Sequence, residues 1–120
     1  MIQSYRDLQV WQDARQLVVA IYRFTAPFPV VERYGLAAQL RRAAVSVPSN
    51  IAEGNGSGYR AAYARYVAAA HGSLMEAETQ IIIAGDLGYV SAADVSALLE
   101  RSAHVARLLR ALLAALRQEA

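Results

Sequence analysis

Apolar positions recur along the chain at alternating three- and four-residue intervals in four stretches, the spacing that gathers them on one face of an α-helix. In the first, Val10, Ala14, Leu17, Ile21 and Phe24 carry the stripe while Trp11, Val18 and Thr25 widen it, which predicts a helix buried on more than one side. Tyr5, Arg6, Asp7 and Leu8 lead into it, with Asp7 as a cap or first-turn acid. Pro27 and Pro29 end it at Ala26, because proline disfavours helical backbone in the residue before it. The second helix is predicted to start near Glu32 or Tyr34, with Leu36, Leu40, Ala43, Ala44, Val47 and Ile51 on its core side. Pro48 lies within it and takes the helical partner from the Ala44 carbonyl, which predicts a kink more than a break. Ser46, Ser49 and Asn50 stand near enough to satisfy the freed backbone groups, and Gly54-Asn55-Gly56-Ser57-Gly58 reads as a mobile turn.

The third stretch has the most regular pattern. Tyr63, Val67, Ala70, Leu74, Ala77, Ile81 and Ala84 keep a heptad spacing, as expected for a long helix in a left-handed bundle seam. Gly85 and Gly88 bracket its end, and Leu87 to Val90 form the next connection. Ser91 with Asp94 marks a fourth helix start. Val95, Leu98, Ser102, Val105, Leu109, Leu112 and Leu116 continue that helix to the C-terminus, with Arg107, Arg110 and Arg117 on its other side. Four helices joined by short connections predict an all-α, up-down-up-down four-helix bundle in a single domain, residues 1–120. No stretch has the period-two alternation of a strand, and there is no internal repeat.

Residues 39–54 depart from the pattern of a simple amphipathic helix. Gln39, Arg42, Ser46, Asn50 and Glu53 form a polar ribbon along one flank of the core stripe, and Val45, Pro48 and Ala52 form a small-residue face along the other. That second face, together with Trp11 and Val18 of the first helix, predicts contacts beyond one bundle and hence a closed homo-oligomer. An antiparallel hairpin of helices two and three would bring Gln39 and Arg42 near His71, Ser73 and Glu76. The reading of this seam is a buried Arg42–Glu76 pair, with Gln39, Ser73 and Gln80 hydrogen-bonding around it.

Composition narrows the function classes. At 120 residues and 56% hydrophobic, the chain can bury about two-thirds of its unfolded surface without a disulfide or a structural metal. The absence of cysteine excludes thiol catalysis and Cys-ligated zinc and fits a reducing compartment. Asp7, Trp11 and Asp13 occupy the place where a secretory signal has basic residues, and Arg23 interrupts the following apolar run. No segment reaches the ~20 apolar residues of a membrane span, so the expected location is the cytoplasm. Glu100 and His104 stand four residues apart, but the paired Glu-x-x-His set of di-iron bundles is absent, and neither metal nor cofactor is expected. His71 reads as a structural, hydrogen-bonded histidine. The glycine-rich turn matches no phosphate-binding fingerprint, no serine sits in a nucleophile motif, and no catalytic triad is visible. The chain reads as a non-enzyme.

All twelve basic residues are arginine, against ten acidic ones, for a formal net charge of +2. Candidate nucleic-acid contacts are Arg41 and Arg42, Arg60 and Arg65 beside Tyr59, Tyr63 and Tyr66, and the outer stripe Arg107, Arg110 and Arg117. The alternative is a scaffolding homo-oligomer with a protein partner, its arginines held in internal and intersubunit ion pairs.

Several segments resemble the four-helix bundle proteins also called ribosomal RNA intervening-sequence proteins. They are Asp7-Leu8-x-x-Trp11, Phe28-Pro29, Tyr34-Gly35-Leu36, the whole of residues 39–54, Gly72-Ser73-Leu74 with Glu76, and Leu87-Gly88-Tyr89. The absence of lysine departs from relatives that are often lysine-rich. That family is similar in fold to the accessory variability determinant protein of diversity-generating retroelements, a ring-shaped pentamer that binds nucleic acid and a reverse transcriptase. The resemblance implies a homo-pentamer, no enzymatic activity, and nucleic acid or a reverse transcriptase as partner.

Overall fold

In the computed structural model, which describes residues 4–118, Ser4 caps a 3-10 turn at Tyr5–Asp7. The Ser4 hydroxyl accepts from the Arg6 amide at 3.1 Å, and the Asp7 carboxylate accepts from the Ser4 amide at 3.2 Å. Asp7 therefore caps this turn rather than the helix that follows. Helix α1 spans Gln9–Thr25, and the Gln12 side chain ties it to the turn by donating to the Arg6 carbonyl at 2.8 Å. Its predicted stripe is buried, Thr25 included, while Trp11 and Val18 are half-buried against the same core.

After α1 the chain turns through Phe28, which is buried between Phe24 and Tyr89 at ring separations of 5.9 and 5.4 Å. Glu32 lies in a second 3-10 turn, Val30–Glu32, and α2 runs Leu36–Gly56, starting a few residues later than expected. Glu32 still serves that helix: its Oε1 accepts from the Leu36 amide at 3.0 Å, while its Oε2 accepts from the Tyr89 hydroxyl at 2.8 Å. One carboxylate thus fastens the α1–α2 connection to the α3–α4 connection. Helix α2 is continuous through Pro48, so the chain does not divide into two helices there. Asn50 Nδ2 donates to the Ser46 carbonyl at 2.8 Å and not to the Ala44 carbonyl that Pro48 leaves without its amide. The glycine-rich run is also less of a turn than its composition suggests, since helix persists through Gly56 and the reversal occupies Ser57 to Tyr59, with Gly58 at φ +81°.

Helix α3 spans Arg60–Asp86 and α4 spans Ala92–Arg117. The end of α3 closes as a Schellman motif: the Tyr89 amide donates to the Ala84 carbonyl at 3.1 Å and the Gly88 amide to the Gly85 carbonyl at 3.0 Å. Gly88 takes φ +77°, which a side chain would disfavour. Ser91 then caps α4, its hydroxyl accepting from the Asp94 amide at 3.1 Å.

The four helices pack as a closed cycle, α1 on α2, α2 on α3, α3 on α4 and α4 back on α1, the α2–α3 seam being the most extensive. The predicted heptad positions of α3 from Val67 to Ala84 are fully enclosed, with Leu40, Val47, Ile51, Val105 and Leu109 from the neighbouring helices. Large and small residues alternate along α3, so opposing side chains fill the gaps left by Ala70, Ala77 and Ala84. Among the described residues there is no strand, and no helix is long and apolar enough to cross a membrane.

The Glu32 carboxylate is held below the usual carboxylate range, first by the Leu36 amide and then by the Tyr89 hydroxyl. Tyr89 is pushed up by its bond to Glu32, by burial and by the charge of Glu32. The depressed acid contributes stability above its unfolded pKa of about 4.3, and that contribution is lost as pH falls through the folded value. The raised tyrosine contributes below about 10 and loses its contribution as pH rises through its folded value. We therefore expect Glu32→Gln to melt below wild type at pH 7, with the two melting temperatures converging as the solution is acidified past pH ~4. A gap that stayed constant into acid would show that the Glu32 charge contributes nothing.

Candidate functional site

The polar ribbon of α2 meets α3 at Ser46, and it is assembled differently from the predicted network. At its centre the Ser46 and Ser73 hydroxyls lie 2.9 Å apart across the two helices, and Asn50 Nδ2 donates to Ser46 Oγ at 2.8 Å. Further along α3, Gln80 Nε2 donates to Glu76 Oε2 at 3.3 Å, and the buried Gln80 Oε1 has no hydrogen-bond partner. The expected buried Arg42–Glu76 pair does not form: both side chains are exposed, and among the described residues no ion pair joins them. Gln39 and Glu53 are exposed as well. The physical reason is length. Short Ser and Asn side chains can meet within a closely packed helical seam, whereas long charged ones reach water from its rim and avoid desolvation.

Ser102 shows the complementary case. It occupies a core position of α4, fully enclosed, and its hydroxyl donates across the seam to Glu78 Oε2. The heptad pattern includes Ser102 but does not reveal this partner.

The candidate arginines divide into those already engaged and those free. Arg41 Nε donates to Thr25 Oγ1 at 2.7 Å, with its guanidinium 4.7 Å from the centre of the Tyr22 ring. Arg60 donates to the Leu116 and Ala115 carbonyls at 3.0 and 2.6 Å, so it caps the C-terminal end of α4. Arg110 Nη1 lies 3.5 Å from His71 Nε2 on the exposed side of the α3–α4 seam. Arg42, Arg65, Arg107 and Arg117 are exposed. Asp7 aside, no carboxylate among the described residues lies within ion-pairing distance of an arginine. Tyr63 is half-buried against the core and Tyr59 is 75% exposed, so only Tyr59 of that pair offers an open ring.

The predicted oligomer face is only partly open. Pro48 is buried within its own subunit, Ala52 and Val18 are half-buried, and Trp11 is covered by Tyr5 at 5.1 Å and Arg15 at 5.0 Å. Val45, 40% exposed, is the outward member of the set. The larger exposed apolar group lies elsewhere, at the end of the bundle formed by the two stapled connections, where Val30, Val31, Tyr34 and Leu87 are open to solvent.

Two features of the α1–α4 seam were not foreseen. His104 Nε2 lies 2.8 Å from Asp13 Oδ2, pairing with α1 and not with Glu100 on its own helix. Among the described residues, no group of three or more His, Cys, Asp or Glu side chains is placed to hold a metal. On the same seam Arg15, Gln16, Val19, Ala20 and Arg23 of α1 and Arg101 of α4 line a cleft of about 480 Å³. Arg15 and Arg23 are two helical turns apart on one face, a signal present in the sequence, but Arg101 joins them only through the fold. The family described as 23S rRNA-intervening sequence protein matches the chain over residues 6–111. No curated protein matches it.

Proposed function

The chain belongs to the 23S rRNA-intervening sequence protein family, and from that premise we propose that it is a non-catalytic, nucleic-acid-binding accessory protein that works as a homo-oligomer. The observation that carries this reading is the state of the arginines. The scaffold alternative holds the arginines in internal and intersubunit ion pairs, and the internal ones would bring guanidinium and carboxylate groups together. Asp7 aside, no such groups lie together among the described residues. Exposed guanidinium groups without acidic partners keep their donors for phosphate, to which they can bind bidentately. Repetition of each cluster around a closed ring would raise the local field well above what a formal charge of +2 suggests. Five subunits, the number implied by the resemblance to the pentameric accessory variability determinant protein, is the proposed assembly. A reverse transcriptase is the protein partner implied by the same resemblance, and the cytoplasm is the proposed location. The exposed Val45 and the apolar end at Val30, Val31, Tyr34 and Leu87 support association.

The test is fluorescence anisotropy with a labelled single-stranded RNA across a salt series, with light scattering in the same buffers. The expected result is binding with little sequence preference. Its log K should fall with log salt at a slope of about −0.7 for each phosphate neutralised, so that three contacts give a slope near −2. No binding at low salt would overturn the nucleic-acid reading, and a monomeric mass would overturn the ring.

A further inference from the structure

We infer that the α1–α4 seam carries a nucleotide-sized site, in which Arg15, Arg23 and Arg101 hold a phosphate of single-stranded nucleic acid and the neighbouring depression takes the base. This deepens the nucleic-acid reading and rests on it. Three arginines from two helices line one cleft. None lies within ion-pairing distance of a carboxylate among the described residues, Asp7 aside. Arg15 rests over the Trp11 ring at 5.0 Å, a cation–π contact that leaves its N–H donors without a carboxylate partner among the described residues, Asp7 aside. Arg15 and Arg23 are eight residues apart, so their backbones are separated by about 12 Å along α1, with Arg101 facing them from α4.

Beyond Arg23 and Arg101 the cleft continues into a depression of about 310 Å³, which those two arginines share with Phe24, Pro27, Val90, Leu98 and Asp94. An apolar floor beside a cationic rim suits a base joined to its phosphate, and Asp94 is an acceptor for an exocyclic amino group. Arg101 also borders a third, polar hollow that contains Asp13, Glu100 and His104. Asp13 there is already occupied by His104 and by Gln9 Nε2 at 2.8 Å, and Glu100 lines the same hollow. None of these three arginines is needed to hold the fold in the way that Arg60 holds α4.

The experiment compares Arg23→Glu with Arg101→Glu, as a double variant, against a charge-matched double variant of exposed arginines outside every candidate contact, Arg6→Glu with Arg33→Glu. Anisotropy of a labelled single-stranded oligoribonucleotide at fixed low salt is read together with the emission of Trp11, the chain's single tryptophan. The expected result is a loss of at least tenfold in affinity for the seam variant and less than threefold for the control. RNA should shift the Trp11 emission in wild type and in the control but not in the seam variant. Circular dichroism and light scattering establish that each variant is folded and assembled as wild type. If the glutamate pair perturbs the fold, Arg23→Gln with Arg101→Gln replaces it, with the same expected direction. Equal losses in both variants, or RNA binding without a change at Trp11, would overturn the site while leaving nucleic-acid binding in place. Absence of binding by wild type would overturn the underlying reading and the site with it.

Discussion

Replacing Leu74 by alanine is expected to cost about 2–5 kcal/mol of folding stability. Leu74 is fully enclosed near the middle of α3, and the adjacent inward positions on its helix are Ala70 and Ala77. The bulk that α3 supplies to that layer is therefore Leu74 itself, and alanine neighbours cannot grow into the space left behind. Truncation removes the transfer free energy of the lost methyl and methylene groups and leaves a cavity whose cost increases with its volume. Domains of this size have about 5–15 kcal/mol in total, so the loss is a large share of the whole. The control is Ile83→Ala on the same helix, where the side chain is 40% exposed and the expected change is within about 0.5 kcal/mol. Denaturant titration of the three proteins measures both values. A loss below 1 kcal/mol at Leu74 would mean that the bundle can collapse around it and that the core is less closely packed than the burial implies.

The second large effect is expected at Gly54. An exposed helical glycine normally gains up to about 1 kcal/mol on replacement by alanine, and Gly56, with no atom within 4 Å of where a Cβ would stand, should behave in that way. Gly54 should do the reverse. A Cβ there would lie 2.7 Å from Tyr66 Cβ, 2.9 Å from Tyr63 Cδ1 and 3.3 Å from the Tyr63 carbonyl oxygen. Two of those atoms belong to the root or backbone of their residue and cannot swing aside, so α2 and α3 must separate. We expect Gly54→Ala to be destabilised by about 1–3 kcal/mol, with Gly54→Val worse. Thermal melts of the two alanine variants should move in opposite directions from wild type, and a shared upward shift would rule out the close approach.

These two positions also show what the sequence makes legible. Leu74 was placed correctly because a side chain on a heptad repeat has few other places to go. The same argument located the inward stripes of all four helices and hence the bundle. Gly54 was read as the start of a turn, since glycine is common in turns and its composition says nothing of a neighbouring helix two tyrosines away. Helix ends were shifted for a related reason: Glu32 looks like a first-turn acid, yet it reaches forward to the Leu36 amide from a separate turn. For the candidate site, residue type was a poor guide to availability. Arg60 looked free beside a flexible run, but its guanidinium is committed to carbonyls at the far end of the chain. The predicted Arg42–Glu76 pair failed because spacing put the two charges on facing helices without saying that both could reach water. Arg101 was missed since nothing local distinguishes it, and its relation to Arg15 and Arg23 exists only across the folded seam.

Three of the four helix seams join neighbours in sequence, and the fourth joins α1 to α4. In kinetic terms the first three need only short loops to close, while the fourth must bring together the two ends of the chain and bears the larger loop entropy. On that argument the seam expected to close last is the one that carries Arg15, Arg23 and Arg101. A chain with three helices docked would have most of its core and none of that cleft. A ligand seated there would bind only the completed bundle, pulling the last equilibrium toward closure and slowing its reopening. Hydrogen exchange along α1 is where that coupling should be visible.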